Sequence, residues 1–147
     1  MAFDLQTYLP YLLNRAARRI VAGFTDEIRP LGVGLSEWRV LAALLEGDAA
    51  RVDVLALATS IDASTLSRLV QRMAANGWVT RTTSGTDRRA VAIALSADGR
   101  ALAERIVPIA LDWEAKMLGS LDRTSTDTLR QLLRRLDQNL AAPGAPS

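Results

Sequence analysis

The chain has 147 residues, of which 49% are hydrophobic and 23% charged, the proportions of a folded globular domain and not of a disordered or fibrous chain. It contains no cysteine and no histidine; this excludes disulfides and thiol nucleophiles, removes the usual zinc ligands and the commonest general base, and leaves carboxylates alone for metal or acid–base work. The net charge of +2 conceals an asymmetry, because residues 63–95 carry five arginines against one acid while the remainder is slightly acidic, the local footprint a polyanion partner requires.

Seventeen of the eighteen basic residues are arginine, so composition alone is the competing explanation of that basic centre. No apolar run approaches the roughly 20 residues needed to cross a bilayer. The opening MAFDLQTYLP lacks a basic segment followed by an apolar block. A cytoplasmic protein without a membrane partner is expected.

Leu9, Leu12, Leu13, Ala16, Ile20, Phe24 and Ile28 recur at steps of three and four, which predicts a long first helix over about residues 8–29. Thr7 is placed to cap it, Pro10 falls in the first turn where its missing N–H costs little, and Pro30 with Gly32 and Gly34 ends it. Ser36 opens a second helix, SEWRVLAALLE, with Trp38, Leu41, Leu44 and Leu45 inward and Gly47 as a left-handed stop. DVLALAT is a brief third helix. ASTLSRLVQRMAANG is a fourth, capped by Asp62 and stapled by Ile61 and Leu66.

Residues 78–83 and 90–95 alternate as the two strands of a hairpin. Ser96 caps a fifth helix, striped by Leu102, Ile106, Ile109, Trp113 and Met117 and kinked at Pro108. Leu121 and Asp122 staple and cap a sixth, lined on one side by Leu129, Leu132, Leu133, Leu136 and Leu140. The expected fold class is mainly α with a small β-hairpin.

The third and fourth helices have helix-turn-helix proportions, and in such units the second helix enters the major groove. Leu66, Leu69, Val70 and Met73 form its inner side, leaving Ser64, Thr65, Ser67, Arg68, Gln71 and Arg72 as a reading face. Small hydroxyls in the first turn permit close approach and bond phosphate or base edges beside the backbone N–H groups. Arg68 and Arg72 each reach either a guanine O6/N7 edge or a phosphate. Both roles stay open, as does an ordinary solvated helix face.

The hairpin follows directly, which is the arrangement of a winged helix. Its turn, in TRTTSGTDRRAVAIAL, carries Asp87, Arg88 and Arg89. Arginine is the favoured side chain for a narrow minor groove, and Asp87, two residues from Arg89, is placed to direct its guanidinium. The alternative is a solvated turn with a weak surface ion pair.

The segments LSEWRVLAALLEG, STLSRLVQRMAANGWVTR and, most specifically, DRRAVAIALSADG resemble the MarR family of bacterial transcription regulators. Asp87, Arg89, Leu95, Ser96 and Gly99 stand at the positions of the family's wing motif. Chain length suggests a single domain, here over residues 1–140, and the proline, glycine and small residues of AAPGAPS suggest a disordered tail over 141–147. Within the domain the resemblance implies a winged helix-turn-helix at about 36–95 and dimerisation helices at about 8–29 and 96–140. It implies a homodimer on a pseudo-palindromic double-stranded DNA operator, a repressor that a small lipophilic or aromatic ligand releases, and no cofactor.

By position, the resemblance sends Arg89 into the minor groove oriented by Asp87, Arg88 to a phosphate, and Ser64, Thr65, Ser67, Arg68 and Arg72 to the major groove. Without cysteine, thiol-based peroxide sensing is excluded, and without histidine the chain suits metal sensing poorly. Tyr8, Tyr11, Arg15 and Trp38 are candidates to line a ligand pocket between the first two helices, with Arg15 meeting a carboxylate. Aromatic core or dimer interface is the competing reading.

Two other classes of function stay open on residues alone. One is a winged helix that binds only proteins. The other is a carboxylate enzyme, for which Glu104, Asp112 and Glu114 have a helical spacing better suited to surface salt bridges.

Overall fold

The leucine periodicity of the amino-terminal segment is realised as α1 (Leu9–Ile28), with Pro10 in its first turn. In this computed structural model, which describes residues 3–83 and 91–141, Thr7 does not cap that helix. Tyr8 is the N-cap residue and makes no side-chain cap bond, while the Thr7 hydroxyl donates to the Asp4 carbonyl in the preceding turn. A short 3-10 segment, Arg29–Leu31, follows and stops at Gly32 with φ of 71°, a left-handed conformation open to glycine without steric cost.

Helix α2 spans Leu35–Leu45, one residue earlier than Ser36 suggests, and buries Val40, Leu41 and Leu44. Gly47 is not its left-handed stop: α2 closes on Glu46 in ordinary right-handed geometry, and Gly47 is absent from the positive-φ glycines of the described residues. A two-residue strand, β1 (Ala50–Arg51), leads into α3 (Val52–Thr59) and then α4 (Ala63–Ala75). The turn between α3 and α4 runs through Ser60, a non-glycine residue at φ of 55°.

Strands β2 (Val79–Thr83) and β3 (Val91–Leu95) pair antiparallel, with Arg81 opposite Ile93 and Thr83 opposite Val91. Strand β1 adds on the far side of β3, with Ala50 opposite Ile93, so the sheet has three strands in the order β1-β3-β2. Two residues cannot display an alternation, so β1 has no sequence signature of its own. Helix α5 (Ala97–Leu118) contains Pro108, and α6 is Arg123–Ala141. Residues 142–147, most of the expected tail, lie outside the described residues, whereas Ala141 ends α6.

The chain divides into two units, residues 1–111 and 112–147. In the first, Phe24 and Ile28 of α1 belong to the buried core with Leu41 and Leu44, Leu55, the inner side of α4, Val79, Ile93, Leu102 and Ile106. The start of α5 is tied to the turn that leads into β2. The Ser96 N–H donates to the Trp78 carbonyl at 3.0 Å, the Ser96 hydroxyl donates to the Gly77 carbonyl, and the Gly99 N–H donates to the Ser96 hydroxyl at 2.9 Å. Ser96 is thus the cap the sequence places there.

In the second unit, Asp122 caps α6 by accepting from the Ser125 N–H at 2.8 Å. Arg130 donates to Glu114 at 2.8 Å and to Asp127 at 3.2 Å, and Lys116 pairs with Asp112 at 2.7 Å. These carboxylates are engaged as surface ion pairs. Leu129, Leu132, Leu133 and Leu140 of α6 are exposed in the single chain. Among the described residues, no helix is long and apolar enough to cross a membrane.

Candidate nucleic-acid interface

Helix α4 has one dry side and one wet one. Leu66, Leu69, Val70 and Met73 are buried, as their three-and-four spacing requires, while Ser64, Thr65, Arg68, Gln71 and Arg72 are exposed and Ser67 is half-buried. The sequence-expected reading face is therefore one continuous arc, with Ser67 at its margin.

Its first turn is more committed than the sequence suggests. Asp62 accepts from the Thr65 N–H at 2.9 Å and from the Ser64 hydroxyl at 2.7 Å. The Ser64 proton and one first-turn N–H are therefore used within the helix start, and what the Ser64 hydroxyl still offers a ligand is acceptor capacity. Hydrogen bonds from the Thr65 hydroxyl and N–H and from the Ser64 hydroxyl, with the positive charge of Arg68 nearby, hold the Asp62 carboxyl far below the usual carboxylate range.

A depressed native pKa makes the cap's contribution complete above the ordinary Asp value of 3.8, and that contribution is lost as pH falls from there toward the native value. Asp62→Ala is accordingly expected to lower the thermal midpoint at neutral pH by removing an N-cap. The gap between wild type and variant should narrow in acid. A gap independent of pH would mean that the carboxylate is not the capping group.

Arg68 and Arg72, with Ser36, Thr65 and Leu69, line a cleft between the start of α2 and α4. Arg72 is not simply extended into solvent: its Nη2 donates to Glu37 Oε1 of α2 at 3.1 Å. Glu37 is absent from the reading face assembled from sequence. Its only local signal is an acid in a first helical turn, and its partner lies 35 residues away.

Arg81 is exposed on β2, along with Thr80, Thr82 and Thr83. Asp87, Arg88 and Arg89 lie outside the described residues; they belong to the segment that joins the paired ends Thr83 and Val91.

The four candidate pocket residues do not converge. Tyr11 and Arg15 come together in a groove along α1 with Asn14, Arg18 and Arg19. The Arg15 guanidinium carbon sits 5.1 Å from the Tyr11 ring centroid, and Arg15 Nη1 donates to the Gln6 side chain at 3.1 Å. Tyr8 tilts instead against Phe3 at 5.3 Å, and Trp38 packs on Phe24 at 6.1 Å. Trp38 also faces a separate cleft with Arg39, Glu46 and Ser60. At 100° per residue, Tyr11 lies about 140° around α1 from Phe24, the side that meets Trp38.

The sequence model described as MarR family matches residues 31–90 of the chain. Among solved structures, a MarR family transcriptional regulator of Silicibacter pomeroyi DSS-3 is 38% identical, with a TM-score of 0.78, over 92% of this chain and 100% of that one. BpsR of Bordetella bronchiseptica, described by the regulation of its DNA binding by 6-hydroxynicotinic acid, is 29% identical with a TM-score of 0.87, over 97% of this chain and 100% of that one. The organic hydroperoxide resistance transcriptional regulator of Bacillus subtilis is 29% identical over 87% of this chain and 84% of its own length.

Proposed function

Because the chain belongs to the MarR family of DNA-binding transcriptional regulators, and is no enzyme, we propose that it acts as a homodimeric repressor on a pseudo-palindromic operator and that a small aromatic or lipophilic acid relieves its binding. The observation that carries this reading is α4: a helix with a fully buried apolar stripe that leaves Arg68, Gln71 and Arg72 exposed on one arc. In this reading Ser64, Thr65 and Ser67 set the close approach of the helix to the groove. Arg68 and Arg72 contact base edges or phosphates, and Arg89, directed by Asp87, enters the flanking minor groove while Arg88 meets a phosphate.

The exposed leucines of α6 support a homodimer, since an apolar stripe of that length is a surface a second copy would remove from water. Tyr11 and Arg15 support an effector site on α1, where an aromatic face and a guanidinium lie together as a planar carboxylate would need. The regulation of BpsR by an aromatic acid agrees with that chemistry. Tyr8 and Trp38 are not part of the proposed site.

Selection of bound duplexes from a random pool tests the reading. The expected product is a family of pseudo-palindromes with half-sites about one DNA turn apart, roughly 34–36 Å. Affinity for them should fall steeply with salt as condensed counterions are released. No enrichment at low salt, or a partner whose binding ignores salt, would instead favour a protein-interaction module.

A further inference from the structure

Glu37 and Arg72 form an ion pair whose two ends are unequal. The Arg72 side chain keeps 68% of its exposure, whereas that of Glu37 keeps only 20%, so the carboxylate is the anchored end and the guanidinium the presented one. The second carboxylate oxygen lies against Gly34, in the space that a side chain there would take. A Cβ added to Gly34 would lie 2.5 Å from Glu37 Oε2. Gly34 has φ of −90°, a value any residue adopts, so a side chain there would meet the carboxylate end and not a backbone restriction.

As a stability device the pair is weak, because the arginine end is mostly in solvent and such partly exposed ion pairs contribute little to folding. As a general DNA-binding device it is counterproductive, since it sets a negative charge beside a surface that meets phosphates. It does restrain a long side chain that would otherwise lose rotamer freedom on binding. One of the five guanidinium donors is spent on Glu37, and the others remain for the groove.

We propose that Glu37 is a specificity-determining positioning residue, holding the Arg72 guanidinium in the register of one base-pair position while disfavouring arbitrary duplex. The assignment rests on the DNA-reading role proposed above for α4. It divides the two arginines of that helix by function: Arg72 is restrained before DNA arrives, and its contribution is selective; Arg68 has the Asp62 charge as its neighbour instead.

The test measures Glu37→Gln on a duplex selected by the wild-type protein and on a scrambled duplex of the same length and composition. Affinity for the scrambled duplex should be unchanged or higher, since one negative charge is gone. Affinity for the selected duplex should fall, so that the ratio of the two drops roughly tenfold, as expected for loss of one well-placed arginine contact. Gly34→Ala, whose added Cβ requires the Glu37 carboxylate end to shift, should lower the ratio in the same direction, and it serves as the second variant if Glu37→Gln does not fold.

In an Arg72→Ala background, Glu37→Gln should leave the ratio unchanged. A ratio unchanged or raised in the single variant, or lowered equally without Arg72, overturns the assignment. If the wild type enriches no duplex, the DNA-reading role falls with it; if enrichment is normal and the ratio does not move, only the positioning role falls.

Discussion

Replacing Gly99 with alanine is expected to destabilise the first unit by about 3 kcal/mol, the upper range for forcing extra volume into a packed site. Gly99 sits buried in the first turn of α5, and an added Cβ would overlap the carbonyl oxygen of Trp78 and lie 2.7 Å from its carbonyl carbon. Both are backbone atoms of the residue just before β2, and the same carbonyl accepts from the Ser96 N–H. Neither side can yield without breaking that tie. A urea titration followed by circular dichroism reads the loss as a lower midpoint, and an unchanged midpoint would mean that α5 does not press on β2 as described.

Gly47 provides the opposite sign. A Cβ there meets nothing within 4 Å, and the residue is not at positive φ. Gly47→Ala should therefore stabilise by roughly 0.4–1 kcal/mol through the unfolded chain's lost freedom. A loss of stability in the same titration would restore the left-handed stop that sequence alone suggests.

The largest expected effect on DNA binding belongs to Arg89→Ala, which should remove ~1 to 3 kcal/mol of binding free energy, chiefly through base pairs flanking the half-site. In the sequence Arg89 falls between β2 and β3, which are in register as far as Thr83 opposite Val91 and follow the helix that carries the reading arc. Arg88→Ala, as a phosphate contact, should instead weaken binding evenly across sequences and reduce the salt slope by about one unit. An electrophoretic titration on the selected duplex separates the two. If Arg89→Ala binds that duplex as the wild type does, the minor-groove assignment is wrong.

Much of this architecture is legible in the residues one turn apart. Asp62, Ser96 and Asp122 each cap the helix that follows them, and the four apolar residues of α4 are the four that are buried. Thr7, Ser36 and Gly47 are the local exceptions: Ser36 does not open α2, whose N-cap is Gly34. Thr7 turns to Asp4 one turn earlier, and α2 ends without needing a left-handed residue.

The candidate site was legible in part for the same reason. The reading arc of α4 follows from helical period, and the family resemblance follows from contiguous motifs. Whether Tyr8, Tyr11, Arg15 and Trp38 share a pocket depends on which sides of α1 and α2 meet, and Phe24 takes the position against Trp38.

By itself, then, the sequence determined the helices, most of their caps, the hairpin strands and the polar arc, because each is set by interactions within one turn or one strand pair. Tertiary structure alone decided the pairing of β1 with β3, the contact of Gly99 with the Trp78 carbonyl and the bridge from Glu37 to Arg72. Those contacts join residues far apart in the chain, and the azimuths at which packed elements face one another are fixed by the shared core and not by the spacing of residues along any one of them.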